Sequence, residues 1–184
     1  MSAQKALWEV AVDRCGYVTT NDARMLGIAP VTVRQLVQRG QLESAAHGVY
    51  RFSKFPVTEY DHFMLAVLWT GKVGTRLSGE TALATYEACD INPTKIHLCI
   101  PTGARTRRRG GEGYELHYEN LQDHETAWWQ NIPTVTLNTA IRQCFESTTP
   151  TYLLRQAVEF GARCGQLLPS EVAAWNERLE ARNG

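Results

Sequence analysis

A chain of 184 residues, 43% hydrophobic and 21% charged, has the length of one medium or two small domains and the composition of an ordinary globular protein. No apolar run approaches the roughly 20 residues that cross a membrane, and the N-terminus lacks a signal peptide's apolar stretch, so we expect a cytoplasmic protein. Five cysteines without paired spacing and five scattered histidines argue against a disulfide framework, a metal site and a metal cofactor.

The net charge of zero hides an asymmetry along the chain. Residues 1–55 contain seven lysines and arginines against four acidic residues, whereas the remainder contains 12 against 15. A basic N-terminal module is the electrostatic footprint expected of a protein that contacts nucleic-acid phosphates.

Residues 16–40 have the pattern of a helix-turn-helix. A β-prone run at 16–21 leads into a short helix at 22–26 that stops at Gly27. Pro30 then opens a second helix that ends at Gly40, because proline is tolerated in the first helical turn and glycine commonly follows the last one.

The second of these helices separates apolar from polar side chains. Val33, Leu36 and Val37 fall at helical spacing and predict one buried stripe. The outer face carries Thr32, Arg34, Gln35, Gln38 and Arg39. A helix that packs into a core needs no such set, whereas a helix in a DNA major groove uses amides and guanidiniums to recognise base edges and hold phosphates. The alternative is a small helical unit with a solvated face.

A hairpin follows the helix-turn-helix directly. Its strands are predicted at 42–44 and 49–52, with His47 and Gly48 at the tip. A helix-turn-helix followed by such a hairpin is a winged one.

The rest of the chain mixes helices and strands without strict βαβ alternation. Helices are predicted at 59–69, 78–88, 139–146, 151–161 and 169–179. Alternating segments at 95–100 and 114–119 predict strands that pair through a hairpin loop, and 128–136 predicts a second hairpin. The fold class is therefore α+β, with a winged helix-turn-helix domain at 1–55 followed by a mixed α/β domain at 56–184.

Taken in order, these motifs resemble a known family. They are the winged helix-turn-helix with its Gly-Val-Tyr-Arg wing at 48–51, the helix start at 77–83, the arginine-rich loop at 100–109 and the Ile-Pro-Thr-Val-Thr segment at 132–136. Their order and spacing resemble the AbiEi family, the antitoxins and transcriptional regulators of type IV abortive-infection toxin–antitoxin systems. The resemblance runs from about Ala6 to Ala173.

The resemblance implies a function for each domain. It implies that the winged helix binds the promoter of its own operon, and that the second domain helps to counteract a nucleotidyltransferase-like toxin in defence against phage. Winged-helix repressors usually bind inverted repeats as two copies, so we expect inverted repeats in this operator. The DNA-binding role falls on the outer face of the second helix, given above, and on His47 and Arg51 of the wing. Without a heptad seam in the sequence, we expect two copies to pair cooperatively on DNA.

A loop predicted between the two alternating strands holds the densest positive charge in the chain, in Arg105, Arg107, Arg108 and Arg109. Clustered arginines favour a polyanion. Three partners stay open from the sequence: DNA phosphates, an RNA, and an acidic surface of the toxin. The alternative is a solvated loop tip.

No catalytic constellation accompanies these motifs. The chain contains no Asp/Glu-x-Lys triplet of the kind with which nucleases hold a metal-activated water. We therefore expect no catalytic residues and no enzyme. The second hypothesis is a winged-helix regulator without a toxin partner, in which the C-terminal domain serves dimerisation or sensing.

Overall fold

The computed structural model describes residues 2–182 and is a mixed α+β structure. In chain order its helices and strands are α1 (Ala3–Val12), β1 (Tyr17–Thr19), α2 (Thr20–Met25), α3 (Pro30–Gln38), β2 (Leu42–Ala46), β3 (Val49–Phe52), α4 (Asp61–Trp69), β4 (Arg76–Leu77), α5 (Gly79–Thr85), β5 (Ile96–Ile100), β6 (Tyr114–Tyr118), β7 (Thr126–Trp129), β8 (Ile132–Val135), α6 (Leu137–Glu146), α7 (Thr151–Arg163) and α8 (Pro169–Arg182). The chain divides into two compact units. The first comprises residues up to Val73 together with Thr106–Arg109 and Gln130–Ile132, and the second comprises the rest.

The first unit contains α1 to α4 and a three-stranded antiparallel sheet with strand order β1-β3-β2. Apolar side chains of α1, α2 and α3 meet the sheet in one core, which is formed by Leu7, Ala11, Val18, Ala23, Val33, Leu36, Leu42 and Phe52. These N-terminal helices and the small sheet are consistent with the predicted helix-turn-helix. Helix α1 was not predicted, although Leu7 and Ala11 have the helical i, i+4 spacing.

Helix α4 belongs to the first unit, because it packs against β1, β2 and β3. The predicted domain boundary at residue 55 therefore falls inside this unit, which continues to Val73. Phe55 itself packs on the first core, beside Gly16.

The second unit is built on a five-stranded sheet with strand order β6-β5-β4-β8-β7. Strands β5 and β6 pair as expected, but in parallel, with Ile96 opposite Tyr114 and Ile100 opposite Tyr118. The predicted hairpin loop between them is therefore wrong, since a parallel pair needs a crossover connection. The two-residue strand β4, too short to show an alternation, pairs antiparallel with β5 and parallel with β8.

Helices α5 to α8 bury one core with this sheet, formed by Ala82, Leu83, Ala88, Val135, Leu137, Ala140, Ile141, Cys144, Leu154, Ala157, Val158, Leu167, Trp175 and Leu179. Asn138 links two of these helices, because its side chain donates to Glu171 and accepts from the Trp175 indole, both at 2.7 Å. All five helices predicted after residue 56 are present, with ends that differ by up to three residues. Among the residues described, no helix has the length and apolar character needed to cross a membrane.

Candidate nucleic-acid interface

The start of α2 is fixed by a network of polar side chains. Thr19 caps the helix by accepting from the backbone of Asp22, and the Asp22 carboxylate accepts in return from the Thr19 backbone at 2.7 Å. Arg14 donates twice to the same carboxylate, at 2.9 and 3.0 Å. This reciprocal capping satisfies backbone groups that have no partner within a helix. The network thereby fixes the helix that precedes α3.

Helix α3 has the two faces that its sequence predicts. On the side that faces the core, Val33 and Leu36 are buried and Val37 is half-buried. Thr32 is also half-buried, although the sequence predicts it on the outer face. The other four predicted DNA-binding residues of the helix and its end are exposed, namely Arg34, Gln35, Gln38 and Arg39. Within residues 2–182 their side chains form no hydrogen bond or ion pair with the protein. Their donors and acceptors are thus available to a ligand.

The tip of the β2–β3 hairpin is tied to the start of α2. The Thr20 backbone N–H donates to the carbonyl of Gly48 at 2.9 Å, and its hydroxyl donates to the same oxygen at 3.3 Å. His47, at the tip, is exposed. The hairpin is thus held beside the helices with its predicted contact residue facing solvent.

Arg51 must be removed from the predicted DNA-binding set. Its guanidinium donates to the Asp61 carboxylate at 2.8 Å and to the Pro56 carbonyl at 2.9 Å, and the two charged side chains are only 14% and 12% exposed. Asp61 also accepts from the Thr58 hydroxyl at 2.6 Å. Arg51 therefore joins β3 to the start of α4, and its charge is matched inside the unit.

This ion pair makes the first testable prediction. A fragment of residues 1–73 is expected to unfold at a temperature roughly 10 °C or more above that of a fragment of residues 1–55, because the shorter one leaves Arg51 without Asp61. Thermal unfolding of both fragments, followed by circular dichroism, gives the comparison. Equal midpoints would show that α4 adds nothing to the stability of this unit.

The arginine-rich loop is divided by the structure. Arg105, Arg107 and Arg109 are exposed, and the last two lie in the first unit while Arg105 lies in the second. Arg108 is not free for a polyanion as predicted, because its guanidinium donates to the carbonyls of His47 at 2.9 Å and Trp69 at 2.7 Å. It is a structural residue of the first unit.

A basic cleft of about 580 Å³ in the first unit was not predicted. Lys5, Arg39 and Lys54 line it together with Trp8 and Phe52. The lining comes from the start of α1, the end of α3 and the chain at and after the end of β3. Segments far apart in sequence therefore supply the charges of the cleft. The signal available in the sequence was the basic balance of residues 1–55, which does not show which side chains meet.

Exposed apolar side chains flank α3 at the turn from α2. Met25 is 75% exposed, Val31 56% and Leu26 43%. The sequence indicates this only weakly, since all three fall outside the buried helical stripe. An apolar group near a recognition helix can contact the methyl group of thymine.

In the second unit, the Arg142 side chain of α6 pairs with three carboxylates. It donates to Glu119 at 2.5 Å, Glu125 at 3.1 Å and Glu146 at 3.4 Å. A side chain from α6 therefore neutralises carboxylates that follow β6 in the chain. These residues stabilise the fold of the unit by ion pairing.

A histidine pair lies on β5 and β6 of the same unit. The Nδ1 of His97 is 3.1 Å from the Nε2 of His117, and the two rings are stacked. Burial, together with the charge of His117, lowers the pKa of His97 below its ordinary value. Within residues 2–182 no group of three or more His, Cys, Asp or Glu side chains has a metal-binding arrangement.

Comparison with known proteins bears mainly on the first unit. Curated proteins gave no significant match. Among solved structures, the crystal structure of the RV2827C protein from Mycobacterium tuberculosis is similar, with 14% sequence identity, a TM-score of 0.46, and an alignment that covers 94% of this chain and 80% of that one. The model of a family described as a transcriptional regulator, AbiEi antitoxin, matches residues 7–53, from α1 to the end of the β2–β3 hairpin. The predicted resemblance to the AbiEi antitoxin regulators is thereby confirmed over residues 7–53.

Proposed function

We propose that the protein is an antitoxin that represses its own operon, using an N-terminal winged helix-turn-helix to bind promoter DNA. The observation that carries this proposal is the exposed, unpaired polar face of α3 (Arg34, Gln35, Gln38 and Arg39), which lies inside the stretch that matches the AbiEi regulators. Water hydrates such a face without a cost in free energy, and the same donors and acceptors are suited to base edges. No catalytic step forms part of the proposal.

In this proposal α3 enters the major groove. Arg34 is suited to the O6 and N7 acceptors of guanine, and Gln35 and Gln38 to adenine. Thr32 and Arg39, at the edge and end of the helix, face the phosphates. Val31, exposed in the first turn, adds an apolar contact for thymine methyl groups.

The hairpin and the basic cleft supply further phosphate contacts. His47 projects from the tip of the wing, while Lys5 and Lys54 share the cleft with Arg39. Contacts of this kind fix the register of a protein on the duplex without reading its sequence. They also make the affinity strongly dependent on salt.

Two copies are proposed to bind an operator of inverted repeats, since helix-turn-helix proteins match the two-fold symmetry of paired half-sites. The absence of a heptad seam in the sequence favours cooperative pairing on DNA over a tight free dimer. A protein that regulates its own operon acts where that DNA is, so the proposal includes a cytoplasmic location.

The second unit is proposed to counteract a nucleotidyltransferase-like toxin, as part of a defence against phage. The support is the word antitoxin in the description of the matching family, together with the predicted resemblance of the whole chain. No short motif assigns this role to individual residues.

A footprint and a growth assay test the two halves of the proposal. DNase footprinting of the region upstream of the gene is expected to reveal two protected half-sites, centred about one helical turn or a multiple of it apart. We expect a nucleotidyltransferase-like toxin gene next to this one, and co-expression of the protein with that toxin is expected to restore growth. Paired half-sites without restored growth would leave a regulator that has no toxin partner, whereas the absence of protection would refute the DNA-binding half.

A further inference from the structure

Residues Thr106–Arg109 belong to the first unit, although they follow β5 in the chain. The Arg108 guanidinium donates to the carbonyl of His47, at the tip of the wing, and to the carbonyl of Trp69, at the end of α4. The Trp69 indole donates in turn to the carbonyl of Arg109 at 3.1 Å. Three hydrogen bonds therefore hold this segment beside the wing tip.

Gly71 makes room for the Arg108 side chain. Its φ is +65°, and a Cβ at this position would collide with Nη2 of Arg108 and lie 2.5 Å from its Cζ. Any larger residue would displace the guanidinium that holds the segment. The close approach thus depends on a glycine that precedes the arginines by more than 30 positions.

The arginines directly before and after Arg108 have charges that are not paired within the protein. Arg107 and Arg109 are exposed, and within residues 2–182 their side chains form no ion pair or hydrogen bond. Because the hydrogen bonds of Arg108 hold the segment at the wing tip, Arg107 and Arg109 lie next to the part of a winged helix that meets the DNA backbone. A segment that is already ordered also loses less entropy when it binds.

We propose that Arg107 and Arg109 contact phosphates of duplex DNA next to the wing, so that the segment 106–109 extends the DNA-binding surface. This inference rests on the proposed DNA-binding function. Duplex DNA is favoured over RNA because residues 102–113 contain no aromatic side chain on which an unstacked base could lie. It is favoured over a toxin surface because the segment is fixed to the wing.

The salt dependence of binding tests this surface in the full chain. The probe is a duplex taken from the region immediately upstream of the gene, titrated between 50 and 300 mM KCl. Replacing Arg107 and Arg109 with serine is expected to lower the slope of log K against log salt by about 1.8, or ~0.9 for each phosphate that is no longer neutralised. The matched control replaces Arg155 and Arg163, exposed on α7 of the second unit, with serine. It removes the same charge and should leave the slope unchanged.

A variant that alters no charge makes the test independent of net charge. Gly71→Ala should displace Arg108, release the segment and lower the slope in the same direction, although every arginine remains. Gly165→Ala is the matched control, because Gly165 has a φ of +68° but no neighbour within 4 Å of the added Cβ. The control therefore carries the same backbone strain and should keep the slope of the wild-type protein.

The outcomes separate this inference from the function on which it rests. If the wild-type protein binds the duplex and the Arg107→Ser/Arg109→Ser variant keeps its slope, the segment does not contact DNA, while the proposed function stands. An unchanged slope with loss of binding to a single-stranded RNA, or of toxin neutralisation, would overturn the inference in favour of that partner. A wild-type protein that does not bind the duplex would overturn the DNA-binding function and the inference with it.

Discussion

Replacing Asp61 with alanine is expected to destabilise the first unit by about 3 kcal/mol, because it leaves the Arg51 guanidinium largely buried without its carboxylate. The substitution also removes the acceptor of the Thr58 hydroxyl and backbone N–H, which precede α4. Urea titration followed by circular dichroism measures the loss. A change of less than about 0.5 kcal/mol, the size expected of a surface pair, would contradict the assigned role of this ion pair.

A double variant separates the stability role of Arg51 from the DNA-binding role that the sequence predicted. Replacing Arg51 with methionine and Asp61 with leucine exchanges the pair for apolar side chains, which is often neutral for stability. We expect most of the stability to return, with binding to the upstream duplex and its salt slope unchanged. A lower slope would return Arg51 to the DNA-binding set.

The parts of the first unit that the sequence predicted depend on local signals. The start of α3 at Pro30, its buried stripe and the hairpin tip at His47 each follow from neighbouring residues. The pairing of Arg51 with Asp61 does not, because nothing in an apolar helical pattern at 59–69 tells which unit it packs against. The position of Arg51 in the predicted wing therefore indicated DNA binding, whereas its ion pair with the next helix gives it a role in stability.

The direction of the strands and the contacts of the arginine-rich loop could not be predicted from the sequence, for similar reasons. Alternation identifies β5 and β6 as strands, but the 13 residues between Ile100 and Tyr114 allow either a long hairpin or a crossover. Composition likewise marks four arginines without distinguishing the one that donates to two carbonyls from its neighbours. Only the fold separates Arg108 from Arg107 and Arg109.

The second large effect is expected on α3. Arg34→Ala and Gln38→Ala should each weaken binding to the operator by about 1–3 kcal/mol, because each removes a side chain suited to a base edge. Both side chains are exposed and unpaired in the free protein, so their loss should leave the stability of the first unit almost unchanged. Arg155→Ala, an exposed arginine of α7, is the matched control and should bind with wild-type affinity.

Competition at one fixed salt concentration tests the central claim, that α3 reads DNA sequence, most directly. The labelled upstream duplex is displaced by unlabelled copies of itself or of a duplex with the same composition in shuffled order. The wild-type protein is expected to prefer its own sequence by a factor of about 1,000 or more. The Arg34→Ala/Gln38→Ala variant should lose at least roughly tenfold of that preference while it still binds both duplexes through phosphates. Equal binding of the two duplexes by the wild-type protein, or an unchanged preference in the variant, would contradict the claim.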